Sequence, residues 1–247
     1  VTVDPMDELA ADSLDALIAV LDAKPEGVER DGQTQMVEAV AAAISTRSHL
    51  IVEAGTGTGK SLAYLIPAIL SGERIAIATA TKSLQNQLAD ADLPFLEQHL
   101  GVPVSWSVVK GRQSYVCMAK LVERLGPGLD GSAPQLFEDE GDDIASIVEW
   151  IRAEGSGDRD DLPETVDDGL WRQVSVSGME CPGKKQCPQA SGCFAEAAID
   201  AARDAQITVT NHHLYALHMA SGRRILPDHD VIIFDEAHKL EAASAAA

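Results

Sequence analysis

Apolar and polar residues follow two different periods along the chain, and each change of period marks a new element. Apolar positions at helical spacing predict helices over 6–21, 33–44, 60–70, 84–88 and 194–205. Short apolar runs bounded by turn residues predict strands over 50–53, 75–78, 104–109, 207–210 and 231–234. Strands that alternate with helices are typical of an α/β fold whose mostly parallel sheet is covered by helices on both faces.

Acidic residues are concentrated in two parts of the chain. The 247 residues carry a net charge of −20, yet residues 31–129 hold eight acidic and eight basic side chains. The excess lies in residues 1–30, with eight acidic and two basic side chains, and in residues 130–168, with fourteen and two. Phosphate contacts need Lys and Arg, so the average charge argues against a basic nucleic-acid surface, whereas the neutral stretch permits a local one.

The acidic stretch 130–168 contains one helical pattern of its own. Ile144, Ile147, Val148 and Ile151 recur at helical spacing, which predicts a short amphipathic helix between two acidic loops. The glycine and proline residues around this helix indicate an inserted region. We expect its charged loops to form a solvated surface rather than a tail that binds a partner.

The apolar runs of this chain are all too short to span a bilayer, and residues 1–8 lack the pattern of a signal peptide. We therefore expect a cytoplasmic protein with no membrane partner, in which the four cysteines stay reduced. This expectation makes a disulfide framework the weaker interpretation of the cysteines.

A glycine-rich turn follows the first predicted strand. Residues 54–61 fit the phosphate-binding loop, except that Ala54 stands where the first glycine is usual. Glycines allow the backbone N–H groups to surround a polyphosphate, and the helix that follows adds its dipole to the same anion. The alternative, a flexible turn, would not account for the strand predicted before this segment and the helix predicted after it. We expect ATP phosphates to lie against Gly55, Thr56, Gly57, Thr58, Gly59 and Lys60, and Mg²⁺ to bind Ser61.

Two acidic residues end the last predicted strand. Asp235 and Glu236 follow the apolar run 231–234, which we expect to be a buried strand. A phosphate-binding loop needs an acid that holds magnesium and a group that activates water, usually at the end of a neighbouring strand. We therefore assign Asp235 to magnesium, Glu236 to the attacking water, and Lys60, Asp235 and Glu236 together to catalysis.

The sequence Asp-Glu-Ala-His at 235–238 is a DEAH box, and with the phosphate-binding loop it resembles the superfamily 2 helicases. Residues 30–36 resemble the Q motif, 79–88 resemble motif Ia, and 110–117 and 209–214 resemble the DinG/YoaA branch of the XPD-like DNA helicases. The resemblance implies a RecA-like domain that binds ATP, with Arg30 and Gln33 at the adenine. It also implies that Thr79, Thr81 and Lys82 contact the DNA backbone.

The four cysteines, Cys117, Cys181, Cys187 and Cys193, are separated by 63, 5 and 5 residues. This spacing lacks the close pairs of most zinc sites, but spacing alone leaves a [4Fe-4S] cluster, zinc and unligated thiols all open. The helicase resemblance implies that the four thiolates hold a [4Fe-4S] cluster. Nearby Lys110, Arg112 and Tyr115 are then candidates for a DNA contact, through charge and base stacking.

The resemblance also implies how the chain is divided. Residues 1–30 form an acidic helical region, 31–109 and 204–247 form the first RecA-like domain, and 110–203 form a mostly α-helical iron–sulfur insertion. The second RecA-like domain and its arginine finger are absent from this sequence. We therefore expect this chain alone to bind nucleotide, to hydrolyse it poorly and not to unwind DNA.

The resemblance implies 5′-to-3′ movement on single-stranded or forked DNA, in repair or replication. Two other classes of function are compatible with parts of the sequence. The first is a phosphate-loop ATPase of another kind, against which the DEAH box and motif Ia argue. The second is a non-enzymatic redox-sensing module that binds DNA through its cluster domain.

Overall fold

A four-stranded sheet forms the centre of one of two units in the computed structural model, which describes residues 5–24, 28, 30–55, 58–125, 142–163 and 165–241. Unit 1 comprises Val1–Val108 and Ala202–Ala247, and unit 2 comprises Val109–Ala201. The strands of unit 1 are β1 (Ile75–Thr79), β2 (Trp106–Val108), β3 (Ile207–Asn211) and β4 (Val231–Phe234).

The four strands are all parallel and lie in the order β2-β3-β1-β4. Ile75 of β1 lies between Ile207 of β3 and Val231 of β4, so three strands start at the same level. All five residues of β1 are buried, as is usual for a parallel strand covered on both faces. The predicted α/β fold with a parallel sheet is confirmed.

Six α-helices and one π-helical turn belong wholly to unit 1 among the described residues. They are α1 (Pro5–Asp22), α2 (Asp31–Thr46), α3 (Lys60–Leu70), α4 (Lys82–Gln87), a π-helical turn (Leu88–Asp92), α5 (Leu93–His99) and α10 (His212–Ala220). Apolar residues of α1, α2, α3, the π-helical turn and α5 form one core with the sheet, in which Leu17, Val37, Leu65, Ile77 and Val209 are at most 1% exposed. The predicted helices over 6–21, 33–44 and 60–70 are confirmed.

The strand predicted over 50–53 is not formed. Residues 48–55 have no regular secondary structure, and Ile51 is 97% exposed. An apolar run becomes a strand only when a neighbouring strand takes its hydrogen bonds, and no described strand pairs with this run. Strand β4 also differs from prediction, because it lies at an edge of the sheet and is half-exposed rather than buried.

Unit 2 is built from helices and turns around a second core. It contains α6 (Met118–Leu125), α7 (Asp142–Glu154), α8 (Asp168–Val174) and most of α9 (Phe194–Asp204). The core buries Val116, Leu121, Ile147, Trp150, Trp171 and Val174. Helix α7 confirms the helix predicted from Ile144 to Ile151, whereas the acidic residues 130–141 lie outside the described residues.

Polar side chains tie the loops of unit 2 to each other. Trp171 donates its indole N–H to the carbonyl oxygen of Gln113 at 2.7 Å, and Lys120 donates to the carbonyl oxygen of Ser175 at 2.7 Å.

Among the described residues, no helix combines the length and apolar character that a bilayer crossing requires.

Candidate functional site

The phosphate-loop lysine and the DEAH glutamate meet at one end of the sheet of unit 1. Lys60 begins α3, and its Nζ lies 3.0 Å from Oε1 of Glu236, a residue 176 positions later. This hydrogen bond, together with the charge on Lys60, lowers the pKa of Glu236 below its usual value. Glu236 is therefore a carboxylate at neutral pH and can accept a proton.

The turn that carries Glu236 has a strained backbone. Glu236 has φ +56°, in the left-handed region that residues with a Cβ rarely adopt. The turn is fixed on its other side, because the N–H of Asp235 donates to the carbonyl oxygen of Ala78 at 3.0 Å. Strain of this kind persists where the surrounding structure imposes it and is concentrated at functional sites.

Asp235 is buried beside α3. Its Oδ2 accepts a hydrogen bond of 3.2 Å from the hydroxyl of Tyr64, which is 3% exposed. Burial and the nearby Asp235 carboxylate raise the pKa of Tyr64 well above its usual value, so the phenol keeps its proton and acts as a donor. The carboxylate of Asp235 is therefore held beside α3 by the hydrogen bond that it accepts from Tyr64.

A second aspartate lies near Ser61. Asp92, the last residue of the π-helical turn, accepts hydrogen bonds from the side chains of Ser61 and Gln87. Burial raises the pKa of Asp92 despite these bonds. Ser61 and Asp235 both border Tyr64, and oxygen ligands of these two kinds are those that magnesium prefers. The donor set therefore fits the predicted magnesium site.

The glycine-rich loop is described at both ends. Gly59 has φ +76°, and the hydroxyl of Thr58 donates to the carbonyl oxygen of Gly55 at 2.9 Å. Thr56 and Gly57 lie outside the described residues. The left-handed Gly59 directs the chain into α3, whose N-terminus then faces the loop.

Gln33 contacts this loop directly. The side chain is 3% exposed, and its Nε2 donates to the carbonyl oxygen of Gly59 at 3.1 Å. Arg30 is exposed and precedes α2, and its carbonyl oxygen accepts from the N–H groups of Gln33 and Thr34. The adenine contact implied for Arg30 and Gln33 stays a prediction, whereas the contact between Gln33 and the loop is a finding of the structure.

The residues that resemble motif Ia have different environments. Thr79 is fully buried, and its hydroxyl lies 3.2 Å from the carbonyl oxygen of Thr81 and 3.4 Å from that of Thr210. Because Thr79 ends the central strand β1, its side chain supports the sheet and is not available to DNA. Thr81 caps α4 by accepting from the N–H of Leu84 at 3.3 Å, and Lys82 is exposed. The DNA contact of Thr81 and Lys82 stays a prediction.

Comparison with known proteins agrees with this arrangement. Residues 30–127 match the DEAD/DEAH box helicase family. Over these residues the chain is therefore similar to DEAD/DEAH box helicases. That family match covers the phosphate-binding loop, while the DEAH sequence follows at the end of β4.

Three relatives extend the match over most of the chain. It is 41% identical over 251 residues to the ATP-dependent helicase DinG of Mycobacterium tuberculosis, covering 95% of this chain and 38% of that protein. It is 36% identical over 217 residues to the ATP-dependent DNA helicase YoaA of Escherichia coli, covering 85% and 33%. It is 29% identical over 233 residues to the 3′-5′ exonuclease DinG of Bacillus subtilis, covering 92% and 24%. The chain thus spans well under half the length of these relatives.

The four cysteines line a single cavity of unit 2. Cys117, Cys181, Cys187 and Cys193 are half-buried free thiols around a space of about 230 Å³. The N–H of Cys117 donates to Val174 at 2.6 Å and the N–H of Cys187 donates to Gly183 at 3.1 Å, which fixes both positions. No His, Cys, Asp or Glu side chains of the described residues are already grouped at metal-binding distances. Cys117 and the three cysteines between 181 and 193 nevertheless line one space, so the residues fit an iron–sulfur cluster.

The basic and aromatic residues expected at DNA have partners inside unit 2. Lys110 lies 2.6 Å from Asp158 and 2.9 Å from Asp160. Burial alone would lower the pKa of Lys110, but its bonds to these carboxylates raise it. Tyr115 is 5% exposed and accepts from the N–H of Lys110 at 3.2 Å, so its ring offers no surface for stacking.

Arg112, the third of these residues, binds within unit 2 as well. It pairs with Glu196 at 2.5 Å beside the cysteine cavity. The charges of Lys110 and Arg112 therefore pair within unit 2, and the acidic stretch 130–168 supplies two of the partners, Asp158 and Asp160.

Tyr64 and Asp92 belong to the site but were not expected from the sequence. Tyr64 lies four residues after Lys60 and therefore on the same face of α3, which is a usable signal. Asp92 gives no such signal, because a π-helical turn at 88–92 shifts the helical face on which it lies.

Proposed function

We propose that this chain is the ATP-binding and iron–sulfur portion of an ATP-dependent DNA helicase of the DinG/YoaA type. Its substrates would be ATP and single-stranded or forked DNA, with movement from 5′ to 3′, in DNA repair or replication in the cytoplasm. The observation that carries the proposal is the 3.0 Å contact between Lys60 and Glu236, with Asp235 buried beside it. These are the three groups that a phosphate-loop ATPase needs at one place.

The proposed reaction is in-line attack of water on the γ-phosphate of ATP. Magnesium, held by Ser61 and Asp235, would neutralise charge on the phosphate oxygens. Lys60 would exchange its bond to Glu236 for one to a phosphate oxygen. Glu236, released from Lys60 and ionised, would then orient the water and accept its proton.

Nucleotide binding and hydrolysis test this proposal. A fluorescent ATP analogue should bind the chain in a magnesium-dependent way, and Lys60→Ala should weaken that binding about tenfold or more. In a longer version that adds the second RecA-like domain, phosphate release should rise when single-stranded DNA is added. A chain that binds no nucleotide would contradict the proposal, and ATPase activity indifferent to DNA would favour a phosphate-loop ATPase of another class.

Direction of movement is tested with forked duplexes. In a longer version that adds the second RecA-like domain, substrates that carry either a 5′ or a 3′ single-stranded tail separate the two polarities, and separation of the 5′-tailed duplex alone is expected. The 247-residue chain alone should separate neither duplex. Separation of the 3′-tailed duplex alone would contradict the proposed direction.

We also propose that the four cysteines hold a [4Fe-4S] cluster that stabilises unit 2. The cavity that all four thiols line supports this proposal. Analysis of protein purified without oxygen should give about four iron and four labile sulfide per chain. One equivalent of zinc without sulfide would contradict the proposal. Cys187→Ser, which removes one thiol, should lower the iron content.

A further inference from the structure

The hydroxyl of Tyr64 is bonded to the carboxylate of the DEAH aspartate, Asp235. Tyr64 Oη donates to Asp235 Oδ2 at 3.2 Å across 171 positions of sequence. Both residues are at most 9% exposed, so water does not compete well for this bond. A buried phenol needs a polar partner, and an ionised acceptor makes the hydrogen bond stronger than a neutral one.

Helix α3 holds both acidic residues of the DEAH sequence. Tyr64 lies one helical turn after Lys60, so the two side chains leave the same face of the helix. Lys60 reaches Glu236 while Tyr64 reaches Asp235. The helix that follows the phosphate-binding loop therefore sets the position of both carboxylates relative to that loop.

We propose that Tyr64 is a positioning residue that fixes the Asp235 carboxylate for magnesium binding. A carboxylate has lone pairs for several partners, so Asp235 can accept from the phenol and still bind a metal or its water. Partners of this kind, one step behind a metal ligand, hold the ligand's orientation. The inference rests on the proposed function, because it assumes that Asp235 meets the magnesium of bound ATP.

Tyr64→Phe tests the inference by removing one hydroxyl. In the 247-residue chain, the affinity for a fluorescent ATP analogue without magnesium should stay unchanged. The magnesium concentration that gives half-maximal tightening should rise by about tenfold, the lower end of the effect usual for such partners. Tyr215→Phe is the matched control. Tyr215 is also buried, but its hydroxyl is hydrogen-bonded to His229 at 3.1 Å and not to Asp235.

Combination with Asp235→Asn separates positioning from general stability. If Tyr64 acts through Asp235, the two effects on magnesium dependence should not add in the double variant. Additive effects would overturn the inference, as would wild-type magnesium dependence in Tyr64→Phe or an equal loss in Tyr215→Phe. In each of these outcomes the wild-type chain still binds magnesium and nucleotide, so only the inference about Tyr64 fails. If the wild-type chain binds no nucleotide, the proposed function itself is contradicted.

Discussion

Gln33 donates a hydrogen bond of 3.1 Å to the carbonyl oxygen of Gly59 and so joins α2 to the phosphate-binding loop. The contact is close, because a Cβ placed on Gly59 would lie 2.3 Å from Nε2 of Gln33. The two residues are 26 positions apart and belong to separate motifs of the sequence.

Gly59→Ala should therefore destabilise the chain for two reasons. The left-handed φ of +76° costs a residue with a Cβ about 1 kcal/mol, and overlap with Gln33 adds roughly 1–3 kcal/mol. Urea unfolding followed by circular dichroism measures the total. Gly72→Ala is the control, since Gly72 has φ +69° and open space around it, so it reports the backbone cost alone.

The overlap can be isolated with a second substitution. Gln33→Ala, added to Gly59→Ala, should recover the overlap cost but leave the backbone cost, giving a coupling of about 1 kcal/mol or more. Equal losses of stability in Gly59→Ala and Gly72→Ala would show that the Gln33 side chain moves away from the new Cβ without destabilising the chain.

Glu236→Gln should separate nucleotide binding from hydrolysis. The amide cannot accept a proton, so phosphate release should fall by roughly 10²–10⁴-fold, the usual range for a general base. Nucleotide affinity should stay or increase, because Lys60 loses its anionic partner and a negative charge leaves the site. Titration with a fluorescent ATP analogue and a phosphate-release assay measure the two effects.

Glu241→Gln provides the control for this substitution, because Glu241 is an exposed carboxylate close to Glu236 in sequence. It should leave both affinity and turnover unchanged. Wild-type turnover in Glu236→Gln would exclude Glu236 as the base.

Lys110→Met should lower stability rather than DNA affinity. It leaves Asp158 and Asp160 without the ammonium between them, and the loss of one partner of a buried ion pair costs about 3 kcal/mol. Lys82→Met is the comparison, because Lys82 is exposed and its loss should change stability by less than about 0.5 kcal/mol.

Fluorescence anisotropy with labelled single-stranded DNA, measured beside thermal unfolding, separates the two roles. Weaker DNA binding by a fully stable Lys110→Met would restore the DNA contact expected from the sequence. Weaker binding by Lys82→Met alone would support the predicted contact at the start of α4.

The tyrosines predict an alkaline transition. The chain has three, and burial raises the pKa of Tyr115 to about 12, with Tyr64 and Tyr215 raised as well. Unfolded tyrosine ionises near pH 10, so the folded state retains protons that the unfolded state loses. The tyrosines should therefore leave stability unchanged below pH 10, and stability should fall as pH rises from 10 towards 12.

Absorbance at 295 nm, which reports tyrosinate, measures this transition beside circular dichroism. Tyrosinate should appear together with unfolding. A smooth rise centred at pH 10 in a folded chain would contradict the burial of the phenols, and Tyr115→Phe should remove one third of the total signal.

The sequence was informative where one local pattern decides the structure. The start of α3 at Lys60 follows from glycines before it and apolar periodicity after it, and β1 follows from an unbroken apolar run. The run over 50–53 looks the same locally but forms no strand, because pairing depends on a neighbour that local pattern does not reveal.

The rest of the site depends on contacts between distant residues. The bond from Tyr64 to Asp235 spans 171 positions, and the placement of Asp92 depends on a π-helical turn without a clear sequence signature. Thr79 was expected at DNA from its motif, but its place between β3 and β4 buries it. The sequence therefore predicted which residues matter more reliably than what each one touches.

The exposed run Leu50, Ile51 and Val52 affects how the protein behaves at high concentration. All three side chains are at least 41% exposed, and β4 is an edge strand of the same unit. An exposed apolar segment and an edge strand both favour association between molecules. Concentrated samples should therefore self-associate, and Ile51→Lys should reduce that association.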